Sequence, residues 1–129
     1  MSEVILGRTG IKTNKNGFGA LPIQRISVED AGRLLRRAFD AGITYFDTAR
    51  VYSDSEEKIG KALSDVRGQI FLATKTAAKD AKSLRRDLET SLRLLRTDTI
   101  DVYQLHNPSF CPVPGGEDGL YNAMRAISE

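Results

Sequence analysis

Apolar residues in this chain fall into short runs that alternate with stretches in which they recur at helical spacing. The segment 1–16 is broken by glycines and predicts a small hairpin. The runs at 18–23, 43–46, 69–74 and 99–105 predict four strands, because they are short and rich in β-branched and aromatic residues. A helical pattern follows each strand, so one strand–helix unit recurs four times.

The four predicted helices are placed by their capping residues and their apolar stripes. Ser27 begins the first helix as an N-cap, and Gly42 closes it. Ser53 begins the second as the N-cap of a capping box with Glu56, and this helix runs to about Val66. The third helix begins at Asp80 or Ser83. Apolar residues at helical spacing mark one face of three of the helices: Ala31, Leu34, Leu35, Ala38 and Phe39 in the first, Leu84, Leu88, Leu92 and Leu95 in the third, and Leu120, Tyr121, Met124 and Ile127 in the last.

This order of elements predicts parallel strands joined by right-handed crossovers. A doubly wound nucleotide-binding sheet would carry G-x-G-x-x-G or a P-loop after a strand, whereas GFGALP at 17–22 supplies only G-x-G. The sequence therefore predicts an α/β fold of the (β/α)₈ TIM-barrel type, with the first four βα units over 17–129 and the N-terminal hairpin over 1–16. Because that fold takes about 250 residues, we expect 1–129 to be the N-terminal half of one barrel, a fragment of a longer protein.

Composition limits the classes of function. The chain has 129 residues and a net charge of +2, and acids lie close to its densest basic cluster, Arg33, Arg36 and Arg37. That arrangement favours a solvated helix face over a nucleic-acid surface. A single Cys111 closes no internal disulfide, no Cys/His pair has zinc spacing, and no apolar run could cross a membrane. Without a secretory signal, we expect a cytoplasmic protein with no metal centre and no nucleic-acid or membrane partner.

Polar side chains follow three consecutive predicted strands. Asp47 follows the second strand with Tyr52 in the loop beyond it, Lys75 ends the third, and His106 and Asn107 end the fourth. Catalytic groups of barrels lie at the carboxyl ends of strands, so these residues are expected at one rim. Taken singly, each has a structural interpretation as a turn former, a core-edge ring, a solvent-reaching lysine or a structural histidine. Taken together, they predict an active site.

The chemistry of this set suits protonation of an oxygen that is becoming an alkoxide. A free phenol is too weak an acid to release its proton readily at neutral pH, and an ammonium beside it stabilises the phenolate. Asp47 would hold Lys75 charged and aimed, and a neutral His106 would hydrogen-bond the substrate oxygen and orient it. General acid catalysis of this kind contributes about 10²- to 10⁴-fold.

Several segments resemble the aldo-keto reductase superfamily, and the similarity runs along nearly the whole chain. They are the hairpin, GFGALP at 17–22, FDTARVYSDSEEKIG at 46–60, ATKT at 73–76 and DVYQLHNP at 101–108. The segment 46–60, which holds Asp47, Tyr52, Ser55, Glu56 and Gly60, resembles the family's signature region and is highly specific. One difference is Ser53, since many members have glycine directly after the tyrosine. Serine is a good N-cap, so we expect the helix start to survive.

The resemblance implies hydride transfer from NADPH or NADH to an aldehyde or ketone, which gives an alcohol. It implies that Tyr52 is the proton donor, that Lys75 and Asp47 tune it, and that His106, with Asn107 beside it, binds the small-molecule carbonyl substrate. Asp47 would also lie close to the nicotinamide ribose. The cofactor neighbours implied in this half of the barrel are Gly19, Ala20 and Asp47.

Two other functions compete with the reductase. Family members make most cofactor contacts from the second half of the barrel, so this chain could be a catalytically incomplete half-barrel that acts by association or binding. The exposed strand edges of a half-barrel would then favour self-association or pairing with the missing C-terminal half. The third candidate is a barrel aldolase in which Lys75 forms a Schiff base. Asp47 argues against it, because a close carboxylate keeps the lysine charged.

Overall fold

The computed structural model describes residues 2–129. Its first element is the predicted hairpin, in which β1 (Glu3–Ile5) pairs antiparallel with β2 (Lys12–Asn14). The hairpin forms a sheet of its own. The Thr13 hydroxyl lies 2.8 Å from the Thr44 hydroxyl, a bond that joins the hairpin to the segment leading into a strand of the main sheet.

The main sheet has four parallel strands that lie side by side in chain order. They are β3 (Phe18–Gly19), β4 (Tyr45–Asp47), β5 (Phe71–Thr76) and β6 (Val102–Leu105). The helices are α1 (Val28–Asp40), α2 (Ser55–Leu63), α3 (Ala81–Leu95) and α4 (Leu120–Ile127), with short 3₁₀ helices at Pro22–Arg25 and Ser64–Gln69. Parallel strands in sequential order are the arrangement that a (β/α)₈ barrel requires.

Alternate residues of each strand face opposite sides of the sheet. Phe46 and Leu72 face the helices and are buried in the core with Leu35, Ile59 and Leu95. Residues one position along the strands face the other side, the inner face of the half-barrel, and those near the carboxyl ends form the rim. The register opposes Gly19 to Asp47, Asp47 to Ala73, and Lys75 to Gln104.

Several of the predicted helix ends are confirmed. The Ser27 hydroxyl accepts the backbone N–H of Asp30 at 3.0 Å, and Gly42 follows α1 with a φ of 102° that suits glycine. Asp80 begins α3, because its carboxylate accepts the backbone N–H of Ser83 at 2.7 Å. Leu34 of the first apolar stripe is nevertheless exposed.

The last three strands each begin two or three residues later than predicted, and three other sequence-based boundaries are wrong. The run 18–23 is a strand only over Phe18–Gly19, because Pro22 lacks an N–H for a ladder and begins a 3₁₀ helix instead. Ser53 does not cap α2: its φ is 39° and its hydroxyl donates to Gln24 Oε1 at 2.9 Å. The second helix ends at Leu63, after which the chain continues as a 3₁₀ helix.

Candidate active site

The rim of the half-barrel holds an ion pair contributed by two neighbouring strands. Asp47 ends β4, and Lys75 lies near the end of β5. Lys75 Nζ donates to Asp47 Oδ2 at 2.8 Å and to the Thr48 carbonyl at 2.8 Å. The lysine side chain is 16% exposed, so these two acceptors fix an ammonium that is largely shielded from water.

Tyr52 comes to the same place from the loop between β4 and α2. Lys75 Nζ lies 5.7 Å from the centroid of the Tyr52 ring. The His106 ring meets the Tyr52 ring edge-on, with centroids 5.4 Å apart and an interplanar angle of 86°. The fold therefore brings together all four residues that the sequence nominated as catalytic, although the first and last are 59 positions apart (106 − 47).

His106 and Asn107 directly follow β6. The backbone N–H of His106 donates to the Thr76 carbonyl at 2.8 Å, which continues the pairing with β5. Its Nδ1 atom is buried and has no hydrogen-bond partner within residues 2–129. Asn107 is exposed with a φ of 44°, and its side chain makes no hydrogen bond to the described part of the chain.

The predicted cofactor neighbours lie beside Asp47. Gly19 opposes it in the β3–β4 register, and the Ala20 N–H donates to the Asp47 carbonyl at 2.9 Å. A Cβ built on Gly19 would meet no atom within 4 Å, so the space above the strand is open. Asp47 Oδ1 makes no hydrogen bond to the residues that the structure describes, so it remains free to accept one from a bound molecule.

Tyr45 is an inner-face neighbour that sequence reasoning did not identify. It lies two residues before Asp47 and therefore points to the same side of the sheet. Burial raises the pKa of the Tyr45 phenol, and the negative charges of Asp47 and Asp101 raise it further. Tyr45 thus stays protonated at neutral pH. The alternation of the strand was the signal that could have located it.

A second polar network behind the rim was also missed. Glu56 is fully buried in the first turn of α2, pairs with Arg50 and accepts the Thr74 hydroxyl at 2.8 Å. Arg50 Nη2 also donates to the Ser53 carbonyl at 3.2 Å. The sequence assigned Glu56 to a capping box, whereas its carboxylate turns towards the sheet. The proximity of Arg50, six residues earlier, was the only sequence signal of this pairing.

The family follows from comparison with known proteins. A model of the Aldo/keto reductase family matches residues 5–128 of the chain. The chain belongs to the aldo-keto reductase family. The aldo-keto reductase YhdN of Bacillus subtilis is 36% identical over an alignment that covers 84% of this chain and 38% of that protein. The resemblance drawn from the sequence motifs is confirmed.

Solved structures agree with this assignment. An aldo-keto reductase from Bacillus halodurans, in its holo form, superposes with a TM-score of 0.83 and 28% identity over 99% of this chain and 45% of its own. One from Klebsiella pneumoniae, in complex with NADPH, gives a TM-score of 0.77 and 28% identity over 92% and 42%. The predicted fold class, a part of a (β/α)₈ barrel, is confirmed. The chain spans less than half the length of these three relatives.

Neither a metal site nor a membrane-spanning helix is found in the described residues. No group of three or more His, Cys, Asp or Glu side chains is placed to hold a metal ion within residues 2–129. None of the helices described has the length and apolar character needed to cross a membrane. Cys111 is exposed in the loop that follows β6.

Proposed function

We propose that this chain supplies the proton-donating part of an NAD(P)H-dependent oxidoreductase that reduces an aldehyde or ketone to an alcohol. The observation that carries the proposal is the position of Tyr52, whose ring lies 5.7 Å from the Lys75 ammonium and 5.4 Å from the His106 ring. The Tyr52 hydroxyl makes no hydrogen bond to the described residues and is not among their buried polar atoms. It is therefore free to meet a substrate oxygen.

Each residue has a separate task in this proposal. Tyr52 Oη donates its proton to the substrate oxygen as negative charge develops there, and the Lys75 ammonium stabilises the phenolate that remains. Asp47 and the Thr48 carbonyl hold that ammonium in place. His106 hydrogen-bonds the substrate oxygen and orients it.

The residues present fit a nicotinamide nucleotide on this side of the rim. Asp47 Oδ1 can accept a hydroxyl of the ribose, and the open space above Gly19, next to Ala20, leaves room for it. A bound NADPH or NADH would supply the hydride. NADPH in the Klebsiella relative supports the choice of cofactor class. We propose that the carbonyl substrate lies against His106 and Asn107.

A Schiff-base aldolase is less well supported. Its lysine must be neutral to attack a carbonyl carbon. Lys75 Nζ instead lies 2.8 Å from a carboxylate oxygen and 2.8 Å from a carbonyl oxygen, both of which favour the ammonium. Reductive trapping of a ketone with borohydride would leave a mass adduct on Lys75 only if the aldolase assignment were correct.

The test of the reductase is consumption of NADPH, followed by absorbance, with an aromatic aldehyde and the purified chain. Tyr52→Phe should lower the rate by about 10²-fold or more, the contribution expected of a general acid. Tyr121→Phe, on α4 outside the rim, is the matched control and should leave the rate unchanged. Turnover that Tyr52→Phe leaves intact would refute the assigned donor. Absence of turnover would favour the incomplete half-barrel as the function of this chain alone.

A further inference from the structure

We propose that Arg50, Glu56 and Thr74 form a positioning network that fixes Tyr52 against Lys75 and His106. This inference rests on the proposed function of Tyr52, but the geometry it concerns can be measured without turnover. Its centre is Glu56, whose side chain has no exposed surface. A carboxylate is retained in such a place only when charge and hydrogen bonds compensate for its lost hydration.

Both oxygens of Glu56 are engaged, and the two partners come from different elements. Oε1 pairs with Arg50, in the loop that carries Tyr52. Oε2 accepts the Thr74 hydroxyl at 2.8 Å, and Thr74 directly precedes Lys75 on β5. One buried carboxylate therefore joins the loop of the proposed proton donor to the strand of the lysine beside it.

Arg50 holds the Tyr52 loop on both sides of the tyrosine. Its backbone N–H donates to the Lys75 carbonyl at 3.0 Å, two residues before Tyr52. Its guanidinium donates to the Ser53 carbonyl at 3.2 Å, one residue after Tyr52. The planar guanidinium directs Nη1 to Glu56 and Nη2 to the Ser53 carbonyl, two fixed directions that the single ammonium of a lysine does not reproduce.

The network is not needed simply to seat α2, because other contacts do that. The Ser55 hydroxyl lies 2.8 Å from the Thr48 hydroxyl and 3.1 Å from the Ala20 carbonyl, both buried. Lys58, 2% exposed, donates to the carbonyls of Ile23 and Ile26 at 2.8 Å each. Weakening the network should therefore release the Tyr52 loop while the helix stays in place.

The experiment is an NMR measurement on the 129-residue chain. Edge-on rings with centroids 5.4 Å apart bring ring protons within reach of a nuclear Overhauser effect, so the wild type should show a Tyr52–His106 cross-peak. Arg50→Lys and Glu56→Gln should lose that cross-peak while the spectrum of the remaining core stays dispersed. Should Glu56→Gln fail to fold, Thr74→Val tests the same link, because it removes the donor to Glu56 and keeps the shape of the side chain.

The matched control is Arg67→Lys. Arg67 is also 20% exposed in its side chain, and it also donates to carbonyls and a carboxylate, at Ile70, Thr99 and Asp101. It lies at the opposite end of the strands, so its variant should keep the Tyr52–His106 cross-peak. Retention of the cross-peak in Arg50→Lys and Thr74→Val, or its equal loss in Arg67→Lys, would overturn the positioning role. Neither result bears on whether Tyr52 donates the proton, which the Tyr52→Phe assay decides.

Discussion

Single side chains at the rim differ in how much bonding capacity they retain. Lys75 donates to two acceptors of the protein, whereas the Tyr52 hydroxyl and Asp47 Oδ1 make no hydrogen bond within the described residues. In the proposed function, the Tyr52 hydroxyl contacts the substrate and Asp47 Oδ1 contacts the cofactor, and both atoms are available to do so. The Lys75 ammonium, whose charge must stay in place, is already held by hydrogen bonds. This division is what electrostatic preorganisation of an active site requires.

Tyr103, on the helix-facing side of β6, gives a prediction about alkaline pH. Its hydroxyl is buried without a hydrogen-bond partner in residues 2–129. Burial is the main cause that raises the pKa of Tyr103 to about 12. The nearby Thr76 hydroxyl, which is not in hydrogen-bonding geometry with it, and the Arg50 charge lower this pKa, whereas the charges of Asp87 and Glu56 raise it. The folded chain thus keeps this proton at a pH where the unfolded chain, with a tyrosine pKa of about 10, releases it. The free energy of unfolding should therefore fall as pH rises from about 10 towards 12.

Tyr103→Phe should remove this part of the alkaline destabilisation. At neutral pH the variant should be as stable as wild type or slightly more stable, because it deletes an unpaired buried hydroxyl. Urea unfolding of both proteins at neutral pH and near pH 11 measures the difference, and Tyr121→Phe is the control. Equal losses in Tyr103→Phe and wild type would show that Tyr103 is not the group responsible.

The predictability of single residues from sequence depended on whether their roles were local. Asp47, Lys75 and His106 could be predicted to meet because each comes at or near the end of a strand, and parallel strands place those ends together. Ser53 and Glu56 were misassigned because their spacing fits a capping box equally well. The positive φ of Ser53 and the burial of Glu56 arise from packing against other elements, which one sequence does not display.

At the scale of elements, the contact between α2 and α3 depends on Gly60. A Cβ built on this glycine would lie 2.1 Å from the Leu94 carbonyl oxygen and 3.0 Å from Leu95 backbone atoms. The helices can therefore approach this closely only because position 60 has no side chain. The sequence marked Gly60 as part of the signature motif, but only the packing of the two helices gives the physical reason.

Gly60→Ala should lower the free energy of unfolding by about 1–3 kcal/mol or more, because the clash is with backbone and α3 must move away. The matched control is Gly32→Ala in the interior of α1, where an added Cβ meets nothing within 4 Å. That variant should gain about 0.5–1 kcal/mol from the higher helix propensity of alanine. Urea unfolding of the two variants gives opposite signs if this account is correct, and equal small changes would refute it.

At the scale of the whole molecule, the sheet has an open inner face and two open edges. Tyr45, Phe71 and Val102 point to the inner face and are only half-buried. In a closed barrel, further strands pack such side chains into layers and pair the outer edges of the first and last strands. Here β3 and β6 each pair on one side only within the described chain. The sequence predicted this architecture because the order of strands and helices can be read from local patterns, and the chain length showed that only four of the eight units are present.

We propose that the open face leads to self-association unless a C-terminal half covers it. Unpaired strand edges beside an apolar face are sites of intermolecular pairing. Sedimentation of the purified chain should therefore give a mass that rises with concentration above 14.2 kDa.

Val102→Lys, which places a charge on the last strand at the inner face, should restore the monomer. Val28→Lys, an exposed valine on the outer helix α1, is the control and should associate like wild type. A wild type that is monomeric at every concentration, or equal association of Val102→Lys, would rule out this face as the interface.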